Sequence, residues 1–95
     1  MTHLPQRHEC ACVVPFFNER DRILHVLDVV TTLPHLTQVI CVDDGSTDGT
    51  AALVARRFPQ VSMLLLHRNS GKAAAVQAAA DMVRTSHMLL MDADL

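Results

Sequence analysis

Asp92 and Asp94 stand two residues apart behind a short apolar run, so both carboxylates point to the same side of a strand end. Two carboxylates so placed suit a hard divalent cation, Mg²⁺ or Mn²⁺, which takes its remaining ligands from phosphate and water. A second acidic pair, Asp43-Asp44, follows another apolar run and precedes Gly45. Only one of two adjacent side chains can face a given ligand, and a carboxylate there can accept from a base N–H or hold a ribose; the same residues also favour turns for local reasons. Gly71-Lys72 sits at a strand-to-helix turn, where free N–H groups and a point charge attract an anion. The G-x-x-x-x-G-K-[ST] frame of a P-loop is absent. Phe16 and Phe17 follow Pro15; one can stack on a flat ring while the other fills the core.

These residues need a scaffold, and the apolar pattern supplies one. Glu9 to Val14, Gln38 to Val42, Val61 to Leu66 and His87 to Met91 read as strands. Between them lie helical patterns. Asn18 is the expected cap of the first, which carries Ile23, Leu27 and Val30 on one face and ends near Leu33-Pro34. Thr47 to Thr50 opens the second, which ends before Pro59. The third is Ala-rich, with Val76, Ala79, Ala80 and Val83 expected on its buried face. The order βαβαβαβ predicts an α/β, Rossmann-like fold: a parallel sheet with right-handed crossovers and strands buried on both faces. Ligands of such sheets bind outside the carboxyl ends of the strands. Asn18-Glu19, Asp43-Asp44, Arg68-Asn69 and Asp92/Asp94 all fall at those ends.

Composition narrows the function further. With 95 residues the chain makes at most one small domain, and 49% hydrophobic with 19% charged residues is globular. The net charge of −2 and the lack of a Lys/Arg run argue against a nucleic-acid partner. Cys10, Cys12 and Cys41 lie inside apolar runs without C-x-x-C spacing, so they read as buried free thiols of a reducing compartment. The six histidines lack helical metal spacing. No run of about 18 apolar residues that would span a membrane is present. A receiver-type phosphoacceptor domain would place its acidic pair after the first strand and its lysine after the last, unlike the arrangement here.

Taken in order, four motifs resemble family 2 glycosyltransferases of the GT-A fold. Val14 to Glu19 resembles the V-P-x-[YF]-N-E opening, and Val42 to Thr50 is similar throughout to V-D-D-G-S-x-D-G-T. Asn69, Gly71 and Lys72 resemble N-x-G-K. Met91 to Leu95 resembles the M-D-A-D-L form of D-x-D found in dolichyl-phosphate mannose and glucose synthase-like members. The resemblance implies that residues 1–9 are a polar tail and that residues 10–95 are the nucleotide-sugar-binding half of the fold, truncated after the D-x-D. It further implies that Pro15 and Phe17 line the base pocket, Glu19 lies near the ribose, and Asp44 contacts the base. Lys72 would lie near the nucleotide, with Asp92, Ala93 and Asp94 at the diphosphate and Asp92 and Asp94 on Mg²⁺ or Mn²⁺. Phe17 stands where Tyr is common, and Ala73 where Gly is common. The implied activity is inverting sugar transfer from a UDP- or GDP-sugar to an acceptor. A catalytic base would lie beyond Leu95, so residues 1–95 alone are expected to be inactive. The alternative is a non-catalytic nucleotide-binding fragment, or one that self-associates through an exposed sheet edge. The expected location is cytoplasmic, at the membrane surface if a longer parent is membrane-associated.

Overall fold

The structure is a computed structural model, and it describes residues 10–85 and 87–93. The polar tail, Asp94 and Leu95 lie outside the described residues. Four strands alternate with three helices: β1 Cys10–Phe16, α1 Arg20–Val30, β2 Leu36–Asp43, α2 Thr50–Arg57, β3 Ser62–Leu65, α3 Lys72–Ala80 and β4 His87–Leu90. The strands form one parallel sheet in the order β3-β2-β1-β4. The chain therefore builds outward from β1 in one direction, then returns to its other side. That reversal makes a switch point between β1 and β4, where loops diverge and leave a crevice at the strands' carboxyl ends.

Alternation along the central strands divides the core between the two faces. Cys12, Val14, Phe16 and Cys41 pack with Ile23, Leu27 and Val30 of α1, Val54 of α2, and Phe58. Val13, Ile40 and Val42 pack on the other face against Ala75 and Ala79 of α3. Ile23, Leu27 and Val30 recur at i, i+4 and i+7, which places them on one helical face. Each such burial contributes about 1.5–3 kcal/mol.

Four expectations are corrected. β1 continues through Pro15 to Phe16. Pro15 lies past the last β1–β4 pair, Val13 with Leu90, so its missing N–H interrupts no ladder pair with β4. Asn18 does not cap α1: Glu19 holds the cap position, without a side-chain cap bond. The fully buried residues of α3 are Ala75 and Ala79; Val76 and Ala80 are only half-buried, because the closest approach of helix to sheet selects the smallest side chains. Finally, β4 is not buried. All four of its residues are exposed, since it forms one edge of the described sheet.

Candidate functional site at the switch point

Three loops meet over the crevice, and side-chain bonds to backbone hold them. Asn18, at φ 50°, adopts the left-handed conformation that asparagine tolerates better than most residues. Its N–H donates to Ser46 Oγ (2.9 Å), and its Oδ1 accepts from the N–H of Thr47 (2.9 Å). The β1–α1 loop is thereby fastened to the β2–α2 loop. Within the latter, Asp43 Oδ1 accepts from the N–H of Ser46 at 2.6 Å. Asp48 accepts from both the N–H and the hydroxyl of Thr50 at the start of α2. Those bonds, the Thr50 hydroxyl foremost, hold the Asp48 carboxyl below the usual range.

Gly45 lies directly against the β3–α3 turn. A Cβ at Gly45 would stand 2.6 Å from the carbonyl carbon of Arg68 and from the amide nitrogen of Asn69, and φ is +83°. Beside it, Asp44 Oδ1 accepts from the N–H of Ser70 (2.8 Å) and Oδ2 from that of Gly71 (2.9 Å). These two N–H groups at the head of α3 are therefore engaged, and the pull on an anion expected of that helix end falls mainly to Lys72. The Lys72 ammonium pairs with the carboxylate of Asp92, just after β4.

The crevice has a volume of about 380 Å³. Its walls include Pro15, Phe17, Glu19, Asp44, Lys72, Asp92 and Ala93. Seven of the eight expected site residues thus share one cavity, and the eighth, Asp94, lies outside the described residues. Phe16 is buried in the core and also borders the cavity, whereas Phe17, which lines it too, is 41% exposed. Asp43 turns to its own loop, which leaves Asp44 as the member of the pair that lines the cavity. Asn69 and Ala75 also line it, beyond the expected set; Asn69 was legible as part of the N-x-G-K motif.

Among the described residues, no group of three His, Cys, Asp or Glu side chains could hold a metal unaided. The Asp92 carboxylate is partly exposed and borders the cavity. This carboxylate already pairs with Lys72, and as one ligand it fits a Mg²⁺-type ion that takes the rest of its shell from phosphate and water. A larger hollow, about 840 Å³, lies at the opposite end of the sheet among Thr37, Gln38, Ser62, Asp81 and Arg84. There the Gln38 amide is already used, donating to the carbonyl of Met82 and accepting from the N–H of Arg84. That staple was not expected from the sequence.

Comparison with known proteins identifies the family. The family model described as glycosyl transferase family 2 matches residues 11–95. The chain belongs to that family. It is 37% identical to a dodecaprenyl-phosphate galacturonate synthase of Rhizobium johnstonii, over 95% of this chain and 29% of the relative. It is 39% identical to a dolichyl-phosphate beta-glucosyltransferase of Trichomonas vaginalis, over 86% of this chain and 28% of the relative. A mannosyltransferase from Pyrobaculum calidifontis, solved in complex with GDP-Man and Mn²⁺, superposes with a TM-score of 0.78 at 29% identity, over 90% of this chain and 27% of that one. The family 2 chain described here therefore spans about three-tenths of the length of these relatives, and its α/β fold is that of GT-A glycosyltransferases.

Proposed function

We propose that this chain forms the donor and metal site of an inverting glycosyltransferase, which moves a sugar from a UDP- or GDP-sugar to an acceptor. The carrying observation is the convergence of Asp44, Lys72 and Asp92, from the ends of three different strands, on the cavity at the switch point. Phe17 offers the base a ring to stack on, worth about 1–3 kcal/mol. Pro15 stiffens the same wall, and Glu19 stands at the mouth for the ribose. Lys72 supplies positive charge for the diphosphate. Asp92, with Ala93 and Asp94 following it, stands at the diphosphate end, and Asp92 and Asp94 are the residues that would hold Mg²⁺ or Mn²⁺. When bound, that ion neutralises charge on the departing diphosphate.

The Rhizobium and Trichomonas relatives are named for polyprenyl-phosphate substrates, which favours a polyprenyl phosphate as acceptor and a place at a membrane surface. Among the described residues, no helix is long and apolar enough to cross a membrane. The catalytic base belongs to sequence beyond Leu95, so residues 1–95 alone are inactive. The test is incubation of the protein, alone and extended to the length of its relatives, with UDP- and GDP-sugars and a polyprenyl phosphate. Metal-dependent transfer by the extended form alone supports the reading. Transfer by residues 1–95 contradicts the assignment of the base, and no transfer by the extended form contradicts the function.

The exposed β4 edge favours a second reading, in which residues 1–95 are a non-catalytic fragment that pairs with another copy. Met88, Leu89 and Leu90 are all exposed there, and an edge strand presents unpaired N–H and C=O groups to any matching chain.

A further inference from the structure

The side-chain amide of Gln38 bonds as a residue of an extra strand would. It donates to the carbonyl of Met82 (2.9 Å) and accepts from the N–H of Arg84 (3.2 Å), the two groups that flank Val83. A neighbouring parallel strand would take the same two groups. By alternation Gln38 shares a face of β2 with Ile40 and Val42, and Val83 packs on that face. Gln38 also stands level with Ala11 of β1, and Ala11 with Met88 of β4, so the three form one row across the sheet. Arg84 and Met88 are four residues apart in sequence, a reach of at most about 14 Å. Two strand spacings use about 10 Å of it, and the climb from the sheet to the amide uses part of the rest. Less than about one residue's rise is left as slack. The Thr85 hydroxyl tightens the connection further by donating to the carbonyl of His87 (2.6 Å).

β4 needs such a tie. A strand's register is well specified where one face is buried and weakly where neither is. All four β4 residues are exposed, and among the described strands β4 pairs with β1 alone. Just past the ladder, Met91 donates to the carbonyl of Val13 (3.0 Å), and Asp92 follows at the cavity. A slip of one residue would carry Asp92 about 3.3 Å along the sheet and turn its side chain to the opposite face, away from Lys72.

We propose that Gln38 is a positioning residue for Asp92: by pinning the α3–β4 connection, its amide fixes the register of β4 and keeps Asp92 on the cavity wall. What Asp92 does there for metal and diphosphate rests on the function proposed above; the register does not. Loss of both Gln38 bonds slackens the connection at the start of β4, and the strand then exchanges between registers. Pro15, Phe17, Glu19 and Asp44 belong to β1, β2 and the loops that follow them, so the nucleoside end of the cavity keeps its shape. The expected signature is therefore local to β4 and, in binding, confined to the contribution of the metal.

The experiment compares the wild type with Gln38→Met, which keeps the side chain's size and loses both bonds, by amide hydrogen exchange. The Met91 N–H is expected to lose protection about tenfold, the worth of the hydrogen bonds removed. The Ile40 and Val42 amides of β2 are expected to stay within about twofold of the wild type. Unchanged protection at Met91 overturns the proposal. So does a loss shared equally by Ile40 and Val42, which would make Gln38 a contributor to stability alone. Gln38→Glu supplies a rescue, and it carries the test where Gln38→Met does not fold. Its carboxylate keeps the acceptor without the donor, and protonation restores the donor. Met91 protection, relative to the wild type at the same pH, is expected to be reduced at about pH 7 and to recover as pH falls through about 4.3. No recovery overturns the proposal. Calorimetric titration of UDP and GDP, with and without Mn²⁺, extends the test to the site. Gln38→Met is expected to lose most of the tightening due to the ion, with uridine and guanosine changed less than about twofold. Full tightening in a protein whose β4 has loosened contradicts the link to Asp92. Absence of nucleotide binding by the wild type contradicts the proposed function, and the exchange measurement still decides the pin.

Discussion

Lys72 and Asp92 form an ion pair between the head of α3 and the end of β4, across the cavity at the switch point. The two residues are separated by an entire helix and strand in sequence. They meet because β4 returns to the far side of β1. Both side chains are substantially exposed, so the pair contributes only about 0–1 kcal/mol to stability. A lysine kept for stability and one kept for ligand binding therefore behave differently. Lys72→Met is expected to shift the thermal midpoint by no more than about 4–8 °C while weakening nucleoside diphosphate. A melting scan and a titration on the same sample check both halves.

The two glycines of the β2–α2 loop separate crowding from backbone strain. Gly45→Ala places a Cβ 2.6 Å from backbone atoms of Arg68 and Asn69, and backbone cannot rotate away as a side-chain tip would. Gly49 has a similar φ of +80°, but nothing lies within 4 Å of its Cβ position. Gly49→Ala is expected to cost about 1–2 kcal/mol from the left-handed conformation alone. Gly45→Ala is expected to cost at least about 1 kcal/mol more, since it also parts two loops. Urea unfolding of both variants measures the difference; equal losses would show that the loops do not press together as described.

How much of this was legible in the sequence depends on how local each signal is. The four strands and three helices follow from apolar runs and their punctuation, and the cavity from motifs at strand ends. The exposure of β4 was not legible: HMLL is as apolar as a central strand, and its edge position is set by which strand pairs beside it. The role of Asn18 was hidden for a related reason. Asparagine ahead of Glu-Arg-Asp carries the local signature of a cap, and its true partners, Ser46 and Thr47, are distant in sequence. Ala79 was expected on the buried face, but Ala75 was missed and Val76 put in its place by a rule that favours larger side chains over the small ones a close-packed helix requires.

The buried thiols give a dependence on pH. Burial, with Cys12 nearby, pushes the Cys41 thiol up to about 12 from an ordinary 9.0, and burial, with Cys10 nearby, pushes Cys12 up to about 11. The folded state thus holds these protons more tightly than the unfolded chain. The associated stability is complete below about pH 9 and is lost as pH rises from there toward 12. Unfolding free energy measured between pH 7.5 and about 10.5 is expected to fall with pH, and Cys12→Ala with Cys41→Ala is expected to flatten that slope. Both thiols should react with a maleimide only after denaturant is added.

Self-association through β4 has a direct handle. Leu89→Lys places a charge on the exposed edge, a change that discourages strand pairing between chains. Sedimentation velocity on residues 1–95 is expected to show concentration-dependent association that this substitution reduces. A wild-type chain that stays monomeric throughout would remove the second reading.

The proposed function requires that the cavity bind a nucleoside diphosphate together with a divalent ion held by Asp92 and Asp94. Calorimetric titration of UDP and GDP, with and without Mn²⁺, tests it most directly. The ion is expected to tighten binding of one of the two at least about tenfold, because it supplies charge and shares its shell with phosphate. It also relieves the repulsion between two neighbouring carboxylates. Asp92→Asn and Asp94→Asn should each remove most of that increment while leaving metal-free binding close to the wild type. An increment that survives both substitutions in a folded protein would rule out this metal site, and the D-x-D would then be no more than the end of a strand.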